Sequence, residues 1–372
     1  MSLVAASVLA RFSEHLGLFA ACLMAGTMTF SRALFNLGAL LLVIAWLISI
    51  TTTKGRTSPR MQLAGMLAIA LFSWIGVSAL YSPSPSPEAW RQVMSYSDLL
   101  FIPLVMTFIR DARAYKSFVT AIAVSLVILL STLLGYLAYY SRTHNPGMFT
   151  NHIVEGFSLG VLCLGLLFFG LKHWPQSRLL AVVSLSGCGL AAYTVFFLNP
   201  GRGAHLALGF GLMIYVLCAV PRGKRVIAFG GFILAALLIV SQSQTIQSRF
   251  QTAISQFQNH EVQKSTSVGL RLNAWKAGLE LWSQSPLVGH GSKSYQLLMH
   301  EEQSEAVGGC RNGSNPVCLQ PHNQFILLAV EQGAIGLTLF ISLLFAIAWP
   351  NFSVKRVQLP PPLPASLITC FA

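Results

Sequence analysis

The stretch SFVTAIAVSLVILLSTLLGYLAY (117–139) carries no charged side chain from end to end. A helix rises 1.5 Å per residue, so about 20 apolar residues cross the hydrocarbon of a bilayer. A soluble helix of this length would show a charged face. The segment therefore reads as a membrane span. The same test, moved outward along the chain, gives ten candidate spans at about 15–30, 33–50, 62–80, 98–109, 117–139, 156–172, 179–198, 204–220, 226–241 and 330–349. Those at 15–30 and 98–109 are short. Composition agrees: 54% of the 372 residues are hydrophobic, only 9% are charged, and mean hydropathy is +0.64. An average soluble domain is about 25% charged, and disordered chains are poor in apolar residues. Both classes are excluded. The expected fold is an all-α polytopic integral membrane protein with about 10–12 transmembrane helices and a helical domain in the long loop before the last complete span.

Basic residues orient the spans. With the N-terminus cytoplasmic, inner segments hold Arg11, Lys54, Arg56, Arg60, Arg110, Arg113, Lys116, Lys172, Arg178, Arg222, Lys224, Arg225, Lys355 and Arg356. Short outer loops hold Arg32, Arg91, Arg142 and Arg202. The net charge of +13 is thus mostly topological and does not argue for a nucleic-acid partner. No cleavable signal pattern is read at the N-terminus, where Arg11 and Glu14 precede the first span. The apolar run from Ala365 to Ala372 is too short to cross and reads as the start of a truncated span. The linear division is 1–241, nine spans with short loops; 242–329, an outer helical domain; 330–349, the tenth span; and 350–372, a cytoplasmic loop and stub.

The outer segment has helical patterning of its own. Ile246, Phe250, Ile254 and Phe257 recur at helical spacing, as do Val268, Leu272, Trp275, Leu279 and Trp282. Both stripes predict amphipathic helices lying on the membrane or on the spans. SPLVGHG (285–291) ends the second helix, a third runs from about Ser292 to Glu302, and GGCRNGSNP (308–316) is a loop by composition. PHNQF (321–325) opens another helix with Asn323 as N-cap. Cys310 and Cys318, facing an oxidising compartment, are expected to pair as a disulfide.

Which chemistry do these residues permit? The chain has two Asp, Asp98 and Asp111, expected on opposite sides of the membrane, and no DxD, HExxH or paired-Cys pattern. A metal-assisted transfer is not expected, and no cofactor is implied. Arginine can take the place of a cation at a phosphate because its planar fork stays charged and binds two oxygens. Arg202 lies in NPGRGA (199–204), where Gly201 and Gly203 let a backbone approach a ligand; a headgroup-snorkelling arginine is the other reading. Arg271 precedes Trp275 by one turn. His322, beside a helix N-terminus, is kept neutral by the macrodipole and is the candidate base, against a reading as a histidine merely near a cap. Glu331 is the main ionisable group within a span and is expected to be solvated at the helix end.

The order of these signals is recognisable. GR at a short outer joint, then LRLNAWKAGLELWSQSPLVGHGSKSYQ (270–296), then PHN leading into LLAVEQGAIG (327–336), resembles the O-antigen ligase family. That resemblance covers about 190–350 by motif and the rest by span architecture. It implies a metal-independent, inverting glycosyltransferase at the periplasmic face of the Gram-negative inner membrane. The enzyme would move O-antigen from undecaprenyl pyrophosphate onto lipid A–core, among membrane lipids, in lipopolysaccharide biosynthesis. In such enzymes two arginines and a histidine are essential, which falls here on Arg202 and Arg271 (pyrophosphate binding and leaving-group stabilisation) and His322 (general base). Arg142, Asn151 and His152 in SRTHNPGMFTNH (141–152) either add donor contacts or are ordinary loop polars; Gly201, Gly203, Trp275 and Asn323 complete the expected substrate site. The superfamily also holds O-antigen polymerases. Some carry Arg-x10-Gly in their outer loops, whereas Met213 and Trp282 stand eleven residues after Arg202 and Arg271, which favours the ligase. A transporter or flippase would place its ionisable groups near the midplane, where few are found here.

Overall fold

The structure, a computed structural model, describes residues 3–52, 59–140, 152–199, 201–258, 267–301 and 316–352. The described residues form helices and no strands. In chain order the helices are α1 (Leu3–Thr27), α2 (Arg32–Thr52), α3 (Pro59–Ser78), α4 (Ser86–Ser95), a 3-10 turn (Ser97–Leu100), α5 (Phe101–Phe108), α6 (Ala112–Tyr140), α7 (His152–His173) and α8 (Arg178–Tyr193). A π segment (Thr194–Leu198) follows, then α9 (Arg202–Ala219), a 3-10 turn (Arg222–Lys224), α10 (Arg225–Gln242), α11 (Gln244–Gln258), α12 (Ser267–Gln284), α13 (Ser294–Glu301), α14 (Pro316–Leu319) and α15 (Gln324–Phe352). Among the described residues, seven stretches are long and apolar enough to cross a membrane, and three shorter apolar helices, Leu63–Ser78, Ser97–Phe108 and Gly203–Leu217, fall on the remaining expected spans. The protein is an all-α polytopic membrane protein. On α10 no residue of the span is buried, and Val226 and Ile227 are exposed, as suits a helix facing lipid.

The chain packs as two compact units, each discontinuous in sequence: 1–53 with 108–252, and 54–107 with 253–372. This grouping by packing cuts across the linear division by topology. In the first unit, Leu126, Leu133, Leu159, Leu162, Val195 and Leu208 form the core between α6, α7, α9 and the π segment. Thr29 and Ser125 share a buried hydroxyl bond of 2.6 Å there. A π turn releases backbone carbonyls, and the Ser243 hydroxyl donates to that of Phe196 at 2.7 Å.

The second unit holds α3, α4, most of α5, and α12 to α15. Its core has two parts. Ala68, Leu71, Ile75 and Val93 pack with Leu343, and Ala274, Ala277, Leu281, Tyr295, Met299 and Cys318 pack with Val330. Here α12 departs from expectation. Its buried face is Ala274, Ala277 and Leu281, while Leu279 of the predicted stripe is half exposed. Small residues win because α15 comes close: a Cβ at Gly278 would stand 2.6 Å from the Ile326 side chain.

Helix α15 is broken at Gly333, whose φ of 65° and ψ of −167° are non-helical. The break divides a short helix, 324–332, from the longer apolar part beyond it. Breaking a helix strands backbone groups that cost free energy if left unpaired in an apolar setting, and five of those here are paired from outside the helix. The carbonyls of Val330 and Glu331 accept from the N–H groups of His290 (2.8 Å) and Gly291 (2.9 Å). That of Gln332 accepts from the Trp74 indole at 2.9 Å. On the other side, the N–H groups of Ala334 and Ile335 donate to the carbonyls of Pro286 (2.8 Å) and Leu287 (3.2 Å). The loop PLVGHG is thus the missing turn of α15, supplied from elsewhere in the chain. Contact is so close that a Cβ at Gly333 would run into the Leu287 carbonyl, and one at Gly289 would sit 2.5 Å from the Gly333 nitrogen.

Candidate functional site

Arg271 and Trp275 stand four residues apart on α12 and therefore on one face. The Trp275 indole donates to the carbonyl of Pro321 at 2.9 Å, fixing α12 to the residue just before His322. His322 itself has φ 51°, a left-handed conformation that non-glycine residues adopt rarely and mostly where surrounding contacts impose it. Immediately after it, the Asn323 side chain accepts from the N–H groups of Phe325 (3.0 Å) and Ile326 (3.4 Å), capping α15 as expected. The imidazole emerges between a tethered helix and a capped one. It is accessible to solvent. Its partial burial, and then the Arg271 guanidinium nearby, hold its pKa below the ordinary histidine range.

Behind this pair lies a group that the sequence reading misjudged. Glu331 is 2% exposed, so helix-end solvation does not account for it. The carboxylate accepts from the Gln92 side-chain amide at 2.8 Å and from the backbone N–H groups of Lys293 and Tyr295. One acidic side chain thereby joins α4, the loop after α12 and α15. Its signal was present in the sequence: a carboxylate inside an apolar run is expensive and so is seldom accidental. The same loop is held from α3 and the turn after it. Tyr81 donates to the Val288 carbonyl (2.6 Å), Ser82 to that of Ser292 (2.6 Å) and Ser84 to that of Lys293 (2.9 Å). His290 has a structural contact, its Nε2 lying 2.8 Å from the carbonyl of Leu281 near the end of α12.

The other expected site residues fall as follows. Arg202 is the first residue of α9, in the first unit, and is described by its backbone alone. Gly201 precedes it as N-cap, and its N–H donates to the buried Asn199 side chain at 2.7 Å. At Gly203 a Cβ would meet the Phe157 ring at 3.5 Å, an ordinary packing contact. His152 opens α7 and is likewise described by its backbone. Arg142, Asn151 and Cys310 lie outside the described residues. Cys318 is buried and disulfide-bonded. Among the described residues no three His, Cys, Asp or Glu side chains converge as a metal site would require.

An all-α polytopic membrane protein, with Arg271 on one helix and His322 beside the capped start of another, defines the class. Residues 187–341 match the model of the family described as O-Antigen ligase, so the resemblance carried by the motifs is shown over that stretch. Curated relatives agree at low identity. An uncharacterised protein of Haemophilus influenzae is 27% identical over 268 residues, covering 68% of this chain and 63% of that protein. Two Rickettsia proteins, each named "Putative polysaccharide ligase", are similar as well. That of R. bellii is 22% identical over 280 residues (73% of this chain, 64% of the relative). That of R. felis is 26% identical over 216 residues (50% and 53%). The chain spans between 53% and 64% of the length of these relatives.

Proposed function

We propose that the protein is an inverting, metal-independent glycosyltransferase that ligates O-antigen from undecaprenyl pyrophosphate onto lipid A–core at the periplasmic face of the inner membrane. The observation that carries this reading is the placing of His322 beside a capped helix start and, through the Trp275–Pro321 bond, against the helix that bears Arg271. A neutral imidazole takes the proton from an acceptor hydroxyl. The hydroxyl oxygen attacks the anomeric carbon as the carbon–oxygen bond to pyrophosphate breaks. The bonding pair leaves with the undecaprenyl pyrophosphate, whose growing charge is met by the guanidinium of Arg271 and, by family resemblance, of Arg202. Attack opposite the leaving group inverts the anomeric centre. Arg142, Asn151 and His152 are proposed as further donor contacts, and Cys310 as the partner of Cys318.

The test is a choice of acceptor. Purified protein receives a lipid-linked glycan with either lipid A–core or a second lipid-linked glycan. Transfer to lipid A–core is the expected result. Transfer to the second lipid-linked glycan would make it a polymerase, and transport without transfer a flippase.

A further inference from the structure

A cavity of about 350 Å³ opens in the second unit between α4 and the start of α13, lined by Glu88, Arg91, Gln92, Ser95, Lys293 and Gln296. Every lining side chain is polar, which is unusual, since small-molecule pockets are mostly apolar. Two are cations, and among the described residues neither Arg91 nor Lys293 forms a salt bridge. Gln92 is oriented by the hydrogen bond that its side-chain amide donates to Glu331, which commits one N–H and leaves its carbonyl as an acceptor. Two cations with amide, hydroxyl and carboxylate groups around them match a ligand that offers both an anion and several hydroxyls.

The cavity is also tied to the reactive segment. Tyr96, one residue past Ser95, accepts a hydrogen bond from the Gln324 side chain at 2.9 Å, two residues beyond His322. The wall that carries Arg91 and Ser95 is therefore fastened to the start of α15, and Lys293 sits on the loop that repairs the break in that same helix.

We infer that this cavity is a subsite for a phosphorylated sugar of the acceptor, with Arg91 and Lys293 holding the phosphate while Gln92, Ser95, Gln296 and Glu88 bind ring hydroxyls. The identification of the acceptor rests on the glycosyl-transfer reading; the binding of a phosphosugar does not. On that reading the donor pyrophosphate is met by other arginines, so this second cationic site belongs to the other substrate.

Two substitutions test it without touching the proposed catalytic groups. Arg91→Gln alters an exposed residue of α4. Lys293→Gly removes the ammonium but suits the φ of 70° there and keeps the backbone bonds to Glu331 and Ser84. First, binding of mannose 6-phosphate and of mannose to the full-length protein in detergent is followed by saturation-transfer NMR. The expected result is saturable binding of the phosphosugar alone, lost in the double variant. Binding that the double variant retains, or none in wild type, overturns the subsite whatever the enzyme does. Second, transfer kinetics with lipid A–core bearing or lacking its core phosphates should show acceptor KM raised about tenfold by each single variant, donor KM unchanged, and the preference for phosphate abolished in the double variant. A rise in donor KM instead would overturn the assignment to the acceptor.

Discussion

The Trp275 indole N–H and the Pro321 carbonyl lie 2.9 Å apart, and this single bond fixes the helix carrying Arg271 to the residue preceding His322. Two groups far apart in sequence are thereby held in one register. Trp275→Phe keeps the ring and deletes the donor. Thermal stability should fall by about 1 kcal/mol, the usual worth of one such bond. Transfer should fall by more than stability does, because a base displaced by an ångström loses much of its advantage. Equal stability and undiminished kcat would show that the tether does not position His322.

The pH dependence follows from the lowered pKa of His322, caused by partial burial and then by Arg271. A base works in its neutral form, which is full above its pKa and lost as pH falls through it. The acid limb of kcat/KM should therefore lie below the ordinary histidine range. Removing the neighbouring charge with Arg271→Gln should move that limb, in the residual activity, to higher pH. Arg271→Lys should leave it in place while rescuing activity poorly, since an ammonium lacks the planar fork. A limb that does not move in Arg271→Gln would separate the two residues.

Glu331 binds three donors from separate parts of the second unit. Glu331→Ala should cost about 3 kcal/mol, because the amide of Gln92 and two backbone N–H groups lose their partner inside an apolar unit. Thermal unfolding in detergent measures this. A shift of less than 1 °C would contradict the role of the carboxylate as the joint between α4, the loop and α15.

Gly333→Ala should be among the most damaging single-methyl changes in the chain. Its φ of 65° disfavours any side chain, and the added carbon meets the Leu287 carbonyl. About 3 kcal/mol or more is expected from strain and overlap together. Gly203→Ala is the control, with only ring contact at 3.5 Å, and should change stability little. Both are read as the temperature of half-loss of soluble protein.

The spans were legible in the sequence because lipid imposes one rule, about 20 apolar residues per crossing, and 117–139 obeys it without exception. The cap at Asn323 was legible too, since capping depends on residues three apart. The buried face of α12 was not. Its stripe of large apolar residues was the obvious guess, but Ala274, Ala277 and Gly278 decide the packing by letting α15 approach, and smallness leaves no hydrophobic signal. Nor was the repair of the α15 break legible: it pairs 286–291 with 330–335 through backbone groups that every residue carries. Of the candidate site, the histidine and arginines are proposed from chemistry and motif order, whereas the burial of Glu331 is visible only with the loop folded against it.

His322 is proposed as the base of a glycosyl transfer whose donor is held by other groups. The most direct measurement is single-turnover transfer from a lipid-linked O-antigen to lipid A–core by purified His322→Ala protein, with donor affinity measured in parallel. Transfer should fall by about 10²–10⁴-fold, the range of general-base catalysis, with donor affinity unchanged. Transfer at the wild-type rate would contradict the claim, and so would a loss of activity that is accounted for entirely by lost donor binding.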